Sequence, residues 1–182
     1  SFQFRTLRAV FNRAIEENVV SKEKNPFEQF KVSKFNTKTK KRALTKEDMM
    51  KIITTETIQA TTLRTFTRDV FTFAYLCGGI SFVDMANLTL DNIYKERIRY
   101  IRQKTHGEIN LKLCDQAKEI IEKYISYREK ATYLFPILDA RLHKTPMQKK
   151  NRVRKVLARI NKELKVLASE LEIKTDVTTY VA

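Results

Sequence analysis

Three glycines and three prolines are all that punctuate a chain of 182 residues. With so few breakers, the backbone stays helical wherever apolar residues recur every three or four positions. They do so at Phe4, Leu7, Phe11, Ala14 and Ile15, which leaves Arg5, Arg8 and Arg13 for solvent or an anionic partner. That helix fades at Asn18, and Asn25-Pro26 reads as a turn. The stretch from Ser33 to Arg42 is polar, cationic and aperiodic, with Lys38, Lys40, Lys41 and Arg42 crowded at its end, the pattern of a basic linker. A second domain begins near Leu44. Thr45 is a good N-cap, Glu47 and Asp48 suit the positive first turn, and Met49 to Ile53 supply an apolar face.

Leu63, Phe66, Val70, Phe73, Ala74 and Cys77 make the stripe of a longer helix that Gly78-Gly79 should stop. Ser81 then caps a short helix running through Met85 to Leu88, with Asp84 in its first turn. From Arg97 the period drops from about 3.6 residues to 2. Ile98, Tyr100, Arg102 and Lys104 should point one way, and Arg97, Arg99, Ile101 and Gln103 the other, so Arg102 and Lys104 share one face of a strand. His106-Gly107 reads as a tight turn, and Ile109, Leu111 and Leu113 alternate on the return strand. Helices resume through Ala117, Ile120, Ile121 and Tyr124 and break at Leu134-Phe135-Pro136. A last long helix carries Val153, Val156, Leu157, Ile160, Leu164, Leu167 and Leu171. Tyr75, Tyr100 and Tyr124 fall on apolar faces and are expected in the core. The predicted fold class is mainly α with a small β-hairpin or sheet.

Charge narrows the partner. Lys and Arg number 36 against 21 Asp and Glu, a formal net charge of +15. A surplus of that size is the footprint of a polyanion-binding protein, through phosphate neutralisation and counterion release. His143 lies among Lys144, Lys149, Lys150, Arg152 and Arg154 and is read as part of a DNA-facing surface. Charge alone does not separate DNA from RNA. Cys77 and Cys114 lie far apart in the sequence with no His or Cys at ligand spacing, so neither a zinc site nor a disulfide framework is expected, and a reducing, cytoplasmic setting is the default. No apolar run approaches the roughly 20 residues of a membrane span, so no membrane partner is expected.

Phosphodiester transfer without a metal needs cations on the non-bridging oxygens, an acid for the leaving oxygen and an in-line nucleophile. Lys104, beside a hairpin turn, could serve as the acid; taken alone it is only an exposed lysine. Its value lies in the order around it: Cys77-Gly-Gly-Ile-Ser-Phe-Val-Asp-Met-Ala-Asn-Leu88, then Asp91-Asn92, then Arg102-Gln-Lys104-Thr105, then Tyr133-Leu-Phe-Pro136. Over residues 43–182 that order resembles the catalytic domain of the tyrosine recombinase, or phage integrase, family. Residues 1–32 resemble the end of the helical, SAM-like core-binding domain that precedes it, with 33–42 as the basic linker. The Ser81-Phe-Val-Asp-Met-Ala run is closest to integrases of mobile elements in Bacteroides-type bacteria.

The resemblance implies site-specific recombination of double-stranded DNA through a 3′-phosphotyrosine, with no cofactor and no metal, in the bacterial cytoplasm at the nucleoid. It implies Lys104 as general acid, and Arg5, Arg8, Lys38, Lys40, Lys41, Arg42 and Thr105 on DNA. It also implies a parent that is tetrameric on DNA and a fragment that is monomeric. Two departures stand out. Ser81 occupies the position of the family's first catalytic Arg, and a hydroxyl cannot clamp a phosphate as a guanidinium does. Arg102 is either the substitute cation or a phosphate-positioning residue with no part in the chemistry. Tyr180 falls where the family's second motif begins with His, and reads either as a hydrogen-bond donor to the phosphate or as a packing residue. The second Arg and the nucleophilic Tyr are expected beyond Ala182, so the fragment is expected to be inert. The rival from another class is a basic, helical DNA-binding protein without catalysis.

Overall fold

The computed structural model describes residues 2–30, 43–55, 62–126 and 132–181. The basic linker, with Lys38, Lys40, Lys41 and Arg42, lies outside the described residues. The chain divides into two compact units, Ser1–Lys41 and Arg42–Ala182.

In the first unit α1 spans Phe2–Glu16, and a single 3-10 turn, Lys22–Lys24, leads to α2, Pro26–Gln29. Asn25-Pro26 does more than turn the chain. The Phe27 N–H donates to Asn25 Oδ1 at 3.0 Å, so Asn25 caps α2, and Pro26 occupies a first-turn position where its missing N–H costs nothing. Phe27 is buried and meets Phe11 edge-on at 6.2 Å, while Phe4 stacks on Phe30 at 5.6 Å.

In the second unit come α3 (Lys46–Thr54), α4 (Thr62–Leu76), α5 (Phe82–Asn87), β1 (Ile93–Tyr94), β2 (Arg97–Ile101), β3 (Glu108–Lys112), α6 (Asp115–Ser126) and α7 (Pro146–Glu170). Thr45 caps α3 as its sequence suggests, its Oγ1 accepting from the Asp48 N–H at 3.1 Å. Thr145 and Gln148 form a reciprocal capping box that starts α7. That helix ends at Glu170, with Leu171 as its C-cap, after which Ile173, Val177 and Val181 bring the chain back onto the core.

α4 is the centre of the core and packs against α3, α6 and α7. Phe71 and Phe73 on it are fully buried, as are Ile160 and Leu164 of α7 and Ile98 of β2. Phe73 meets Phe135 at 5.0 Å and Tyr124 meets both Phe66 and Phe135 at 5.5 Å. Truncating one such ring to Ala costs about 3–5 kcal/mol, from lost transfer energy and the cavity left behind. A charged knot ties α4 to α6: buried Asp69 accepts from Lys123 Nζ at 2.6 Å, from the Tyr124 hydroxyl at 2.9 Å and from the Arg68 guanidinium at 3.0 Å. Burial, reinforced by the Asp69 charge, pushes the Tyr124 hydroxyl well above the usual tyrosine range.

The β-structure is larger than a hairpin. β1, β2 and β3 form an antiparallel sheet in that order, with Ile93 opposite Ile98 and Tyr94 opposite Arg97. The β1–β2 turn carries Lys95 at φ 44° and Glu96 at φ 61°. That is the backbone of a two-residue primed turn, which normally announces itself as Asn-Gly or Asp-Gly. Lys-Glu does not, so the short first strand is silent in the sequence. Glu96 is held by Lys118 at 2.8 Å and accepts the Leu113 N–H at 2.9 Å, ties that support the strained turn. One further expectation is corrected. Tyr75, expected in the core, is 41% exposed, because it falls off the buried side of α4. Cys77 and Cys114, distant in sequence, are close enough in space for Cys114 to influence Cys77, whose thiol is pushed up to about 12, mainly by burial. Among the described residues no helix is long and apolar enough to cross a membrane.

Candidate functional site

The site begins where α4 stops. Gly78 and Gly79 adopt φ of +67° and +80°, and the Gly79 N–H reaches back to the Ala74 carbonyl at 2.8 Å. This left-handed exit, costly for any residue with a Cβ, turns the chain so that Ser81 can open α5. Ser81 Oγ accepts from the Asp84 N–H at 3.2 Å and donates to Asp84 Oδ2 at 2.7 Å. Ser81 is therefore a helix cap whose hydroxyl is committed to its own helix.

Asp84 is 4% exposed, and its other oxygen leaves the helix: Oδ1 accepts the backbone N–H of Gln103 at 2.8 Å. Gln103 stands between Arg102 and Lys104. One buried carboxylate thus pins the base of the loop 102–107 to the start of α5. The loop is closed by two backbone bonds, Arg102 N–H to Gly107 at 2.9 Å and His106 N–H to Arg102 at 2.8 Å, with His106 at φ 56°.

This geometry corrects the strand reading. β2 ends at Ile101, paired with Glu108, so Arg102 and Lys104 lie in the loop rather than on one face of a strand. The turn is also wider than a tight His106-Gly107 reversal, because Asp84 and the Arg102–His106 bond stabilise a longer one. Arg102 is half-buried at the loop base, while Lys104, Thr105 and His106 are exposed at its tip. Among the described residues neither Arg102 nor Lys104 forms an ion pair. Tyr100, on the strand leading into the loop, has its hydroxyl pushed up by burial and by Asp84, with Arg102 acting in the opposite sense. Asp84, Tyr100 and Arg102 therefore share one electrostatic neighbourhood.

Tyr180 lies on a different support. Asn161 of α7 accepts the Thr179 N–H at 3.0 Å, Val181 is buried, and Tyr180 is 91% exposed between them. It does not pack, and it makes no hydrogen bond to Ser81 or to the loop. Arg5 and Arg8 are exposed on α1. His143 has a structural role in the fold. It is half-buried, and its Nδ1 accepts the Asp139 N–H at 2.9 Å, stapling the loop ahead of α7. Of the basic residues beside it, Arg152 donates to the Ile137 carbonyl at 3.0 Å and Lys149 lies over the Tyr133 ring at 5.6 Å. The exposed cations of α7 are Lys150, Arg154, Lys155, Arg159, Lys162 and Lys165, with no acidic residue between Pro146 and Lys162.

Through Asp84 the structure thus links Ser81 to the base of the loop that carries Arg102, Lys104 and Thr105. The residue that sequence reasoning undervalued is Asp84 itself. Its place in the first turn after Ser81 signals a cap, but its reach to Gln103 is a tertiary contact with no local pattern.

No protein-family model matches this chain, and no curated protein matches it in sequence. Solved structures do match in fold. A lambda integrase dimer bound to a COC′ core site superposes with a TM-score of 0.61 at 17% identity, covering 90% of this chain and 56% of that one. A lambda integrase tetramer bound to a Holliday junction gives 0.57 at 18% identity, covering 93% of this chain and 52% of that one. The chain therefore shares this fold and spans about half the length of the structures it matches.

Proposed function

We propose that this chain is the DNA-binding and partial catalytic portion of a tyrosine-type recombinase that cuts and rejoins double-stranded DNA through a 3′-phosphotyrosine. The observation that carries the reading is the exposed loop presenting Lys104, with Arg102 at its base, held in place by a buried carboxylate at the start of α5. Lys104 would donate a proton to the leaving 5′-oxygen. Arg102, two residues away at the loop base, would stand beside a non-bridging oxygen and supply the charge that Ser81 cannot. Ser81 then serves as a cap only. Tyr180, fully presented to solvent, would donate its hydroxyl to the phosphate, and Thr105 would meet the backbone beside it.

The net charge of +15 and the stretch of α7 from Pro146 to Lys162, which holds no acidic residue, support a polyanionic partner. So does the fold shared with integrase structures whose bound partners are a core site and a Holliday junction. Arg5, Arg8 and the linker cations Lys38, Lys40, Lys41 and Arg42 would extend the contact from the first unit. The finer reading is an integrase of a bacterial mobile element, tetrameric on DNA, with residues 1–32 closing a core-binding domain. No cofactor enters this chemistry.

The test is formation of a covalent protein–DNA adduct by the parent protein on duplexes carrying the ends of its element, resolved on a denaturing gel. An adduct that disappears with Lys104→Ala, and falls by orders of magnitude with Arg102→Ala, is expected. Duplex binding with no adduct under any condition would favour a DNA-binding protein without catalysis. An adduct undiminished by Arg102→Ala would leave that residue a positioning role at most.

A further inference from the structure

The outer face of the sheet carries a cluster that the proposed chemistry does not use. Strand alternation turns Ile98 and Tyr100 toward the core and leaves Tyr94, Arg97 and Arg99 facing outward, with Lys112 across the sheet from Arg97. Tyr94 is 53% exposed. Lys95 Nζ lies 5.2 Å from its ring centroid and the Arg99 guanidinium carbon 5.8 Å. Arg97 lies along the sheet, its Nε donating to Asn110 at 2.7 Å. Among the described residues no acidic side chain forms an ion pair with Lys95, Arg97 or Arg99, and Glu96, next to Lys95 in the turn, is held by Lys118.

An aromatic ring raised on a rigid sheet and ringed by unneutralised cations combines two functions. Cations alone would serve any polyanion. The half-exposed ring adds a π-face, which a duplex cannot use along its length because its bases are stacked on one another, but which an unpaired base can. We propose that this face binds single-stranded DNA, with Tyr94 stacking on an unpaired base while Lys95, Arg97, Arg99 and Lys112 neutralise the flanking phosphates. The inference rests on the recombinase reading for its choice of DNA, since strand exchange passes through unpaired bases. It concerns the opposite end of β2 from the Lys104 loop, roughly 13 Å away at about 3.3 Å per residue.

The experiment is fluorescence anisotropy of the full chain with labelled single-stranded and duplex oligonucleotides of the same sequence, comparing Tyr94→Ala and Tyr94→Phe with the unaltered protein. Tyr94→Ala should weaken single-strand binding about tenfold and leave duplex binding within about twofold, whereas Tyr94→Phe should keep both, because stacking needs the ring and not the hydroxyl. Arg99→Ala should flatten the salt dependence of single-strand binding by about 0.7 in log–log slope. Equal losses on both substrates would overturn the proposal, as would no loss on the single strand or a Phe variant as weak as the Ala variant. Failure of the recombinase reading shows elsewhere, in the absence of a covalent adduct, and leaves the single-strand to duplex ratio untouched.

Discussion

Two buried carboxylates in this molecule are treated in opposite ways. Asp69, inside the α4–α6 contact, is answered by charge: Lys123, Arg68 and the Tyr124 hydroxyl all converge on it. Asp84, at the start of α5, receives no Lys or Arg among the described residues. It accepts only the Ser81 hydroxyl and the Gln103 backbone N–H, and it sits in the first turn, where the helix dipole favours an anion. The difference separates two uses of a buried charge. Asp69 consumes the cations beside it to join helices. Asp84 holds a loop through a backbone N–H and leaves Arg102 and Lys104 without an acidic partner among the described residues.

The comparison is broken most forcefully at Asp69. Replacing it with Ala leaves Lys123 and Arg68 without their counter-charge, and should lower stability by about 3–5 kcal/mol in urea titrations. Asp84→Ala should cost less, about 1–3 kcal/mol for the unsatisfied donors. It should nevertheless accelerate hydrogen exchange at the Gln103 amide and weaken duplex binding out of proportion to that loss. Asp84→Asn keeps an acceptor at Oδ1 and should preserve the Gln103 protection; an amide equally protected in Asp84→Ala would mean the carboxylate does not hold the loop. Ser81→Ala should cost about 1 kcal/mol, the value of a helix cap, with the loop retained. Lys104→Ala should leave the thermal midpoint within the equivalent of about 0.5 kcal/mol, since the side chain is exposed, while abolishing adduct formation in the parent.

The smallest effect lies at the β1–β2 turn. The hydrogen bond from Lys118, and then its charge, hold the Glu96 carboxyl below its usual range. A depressed folded-state pKa stabilises the fold above the unfolded value, and that contribution is lost as pH falls through the folded one. The difference in thermal midpoint between the unaltered protein and Lys118→Ala should therefore be present at neutral pH and close as the solution is acidified below the carboxylate range. A gap that persists at low pH would locate the role of Lys118 in packing.

The elements that could be read directly are those whose signals are local. Thr45, Ser81 and the Gly78-Gly79 stop each act within one turn of backbone, and each does in the fold what its residue type suggests. The apolar stripes of α4 and α7 likewise lie on the core, and the alternation from Arg97 to Ile101 and from Ile109 to Lys112 marks two strands correctly. The mainly helical fold with a small sheet followed from those signals. Beyond Ile101 the same alternation misleads, because Arg102 to Gly107 obey a tertiary acceptor rather than a strand partner. β1 escaped notice because its turn uses Lys95 and Glu96 at positive φ where glycine or asparagine would have declared it.

The sequence by itself determined which residues could carry charge and which could cap, stop or alternate, since those properties belong to one residue and its near neighbours. Only the tertiary structure decided that Asp84 would reach Gln103, that His143 would turn inward to Asp139, and that Tyr94 would stand among cations on the outer sheet. Each of those contacts joins side chains or backbone brought into register by the packing of whole elements, and no spacing along the chain encodes it.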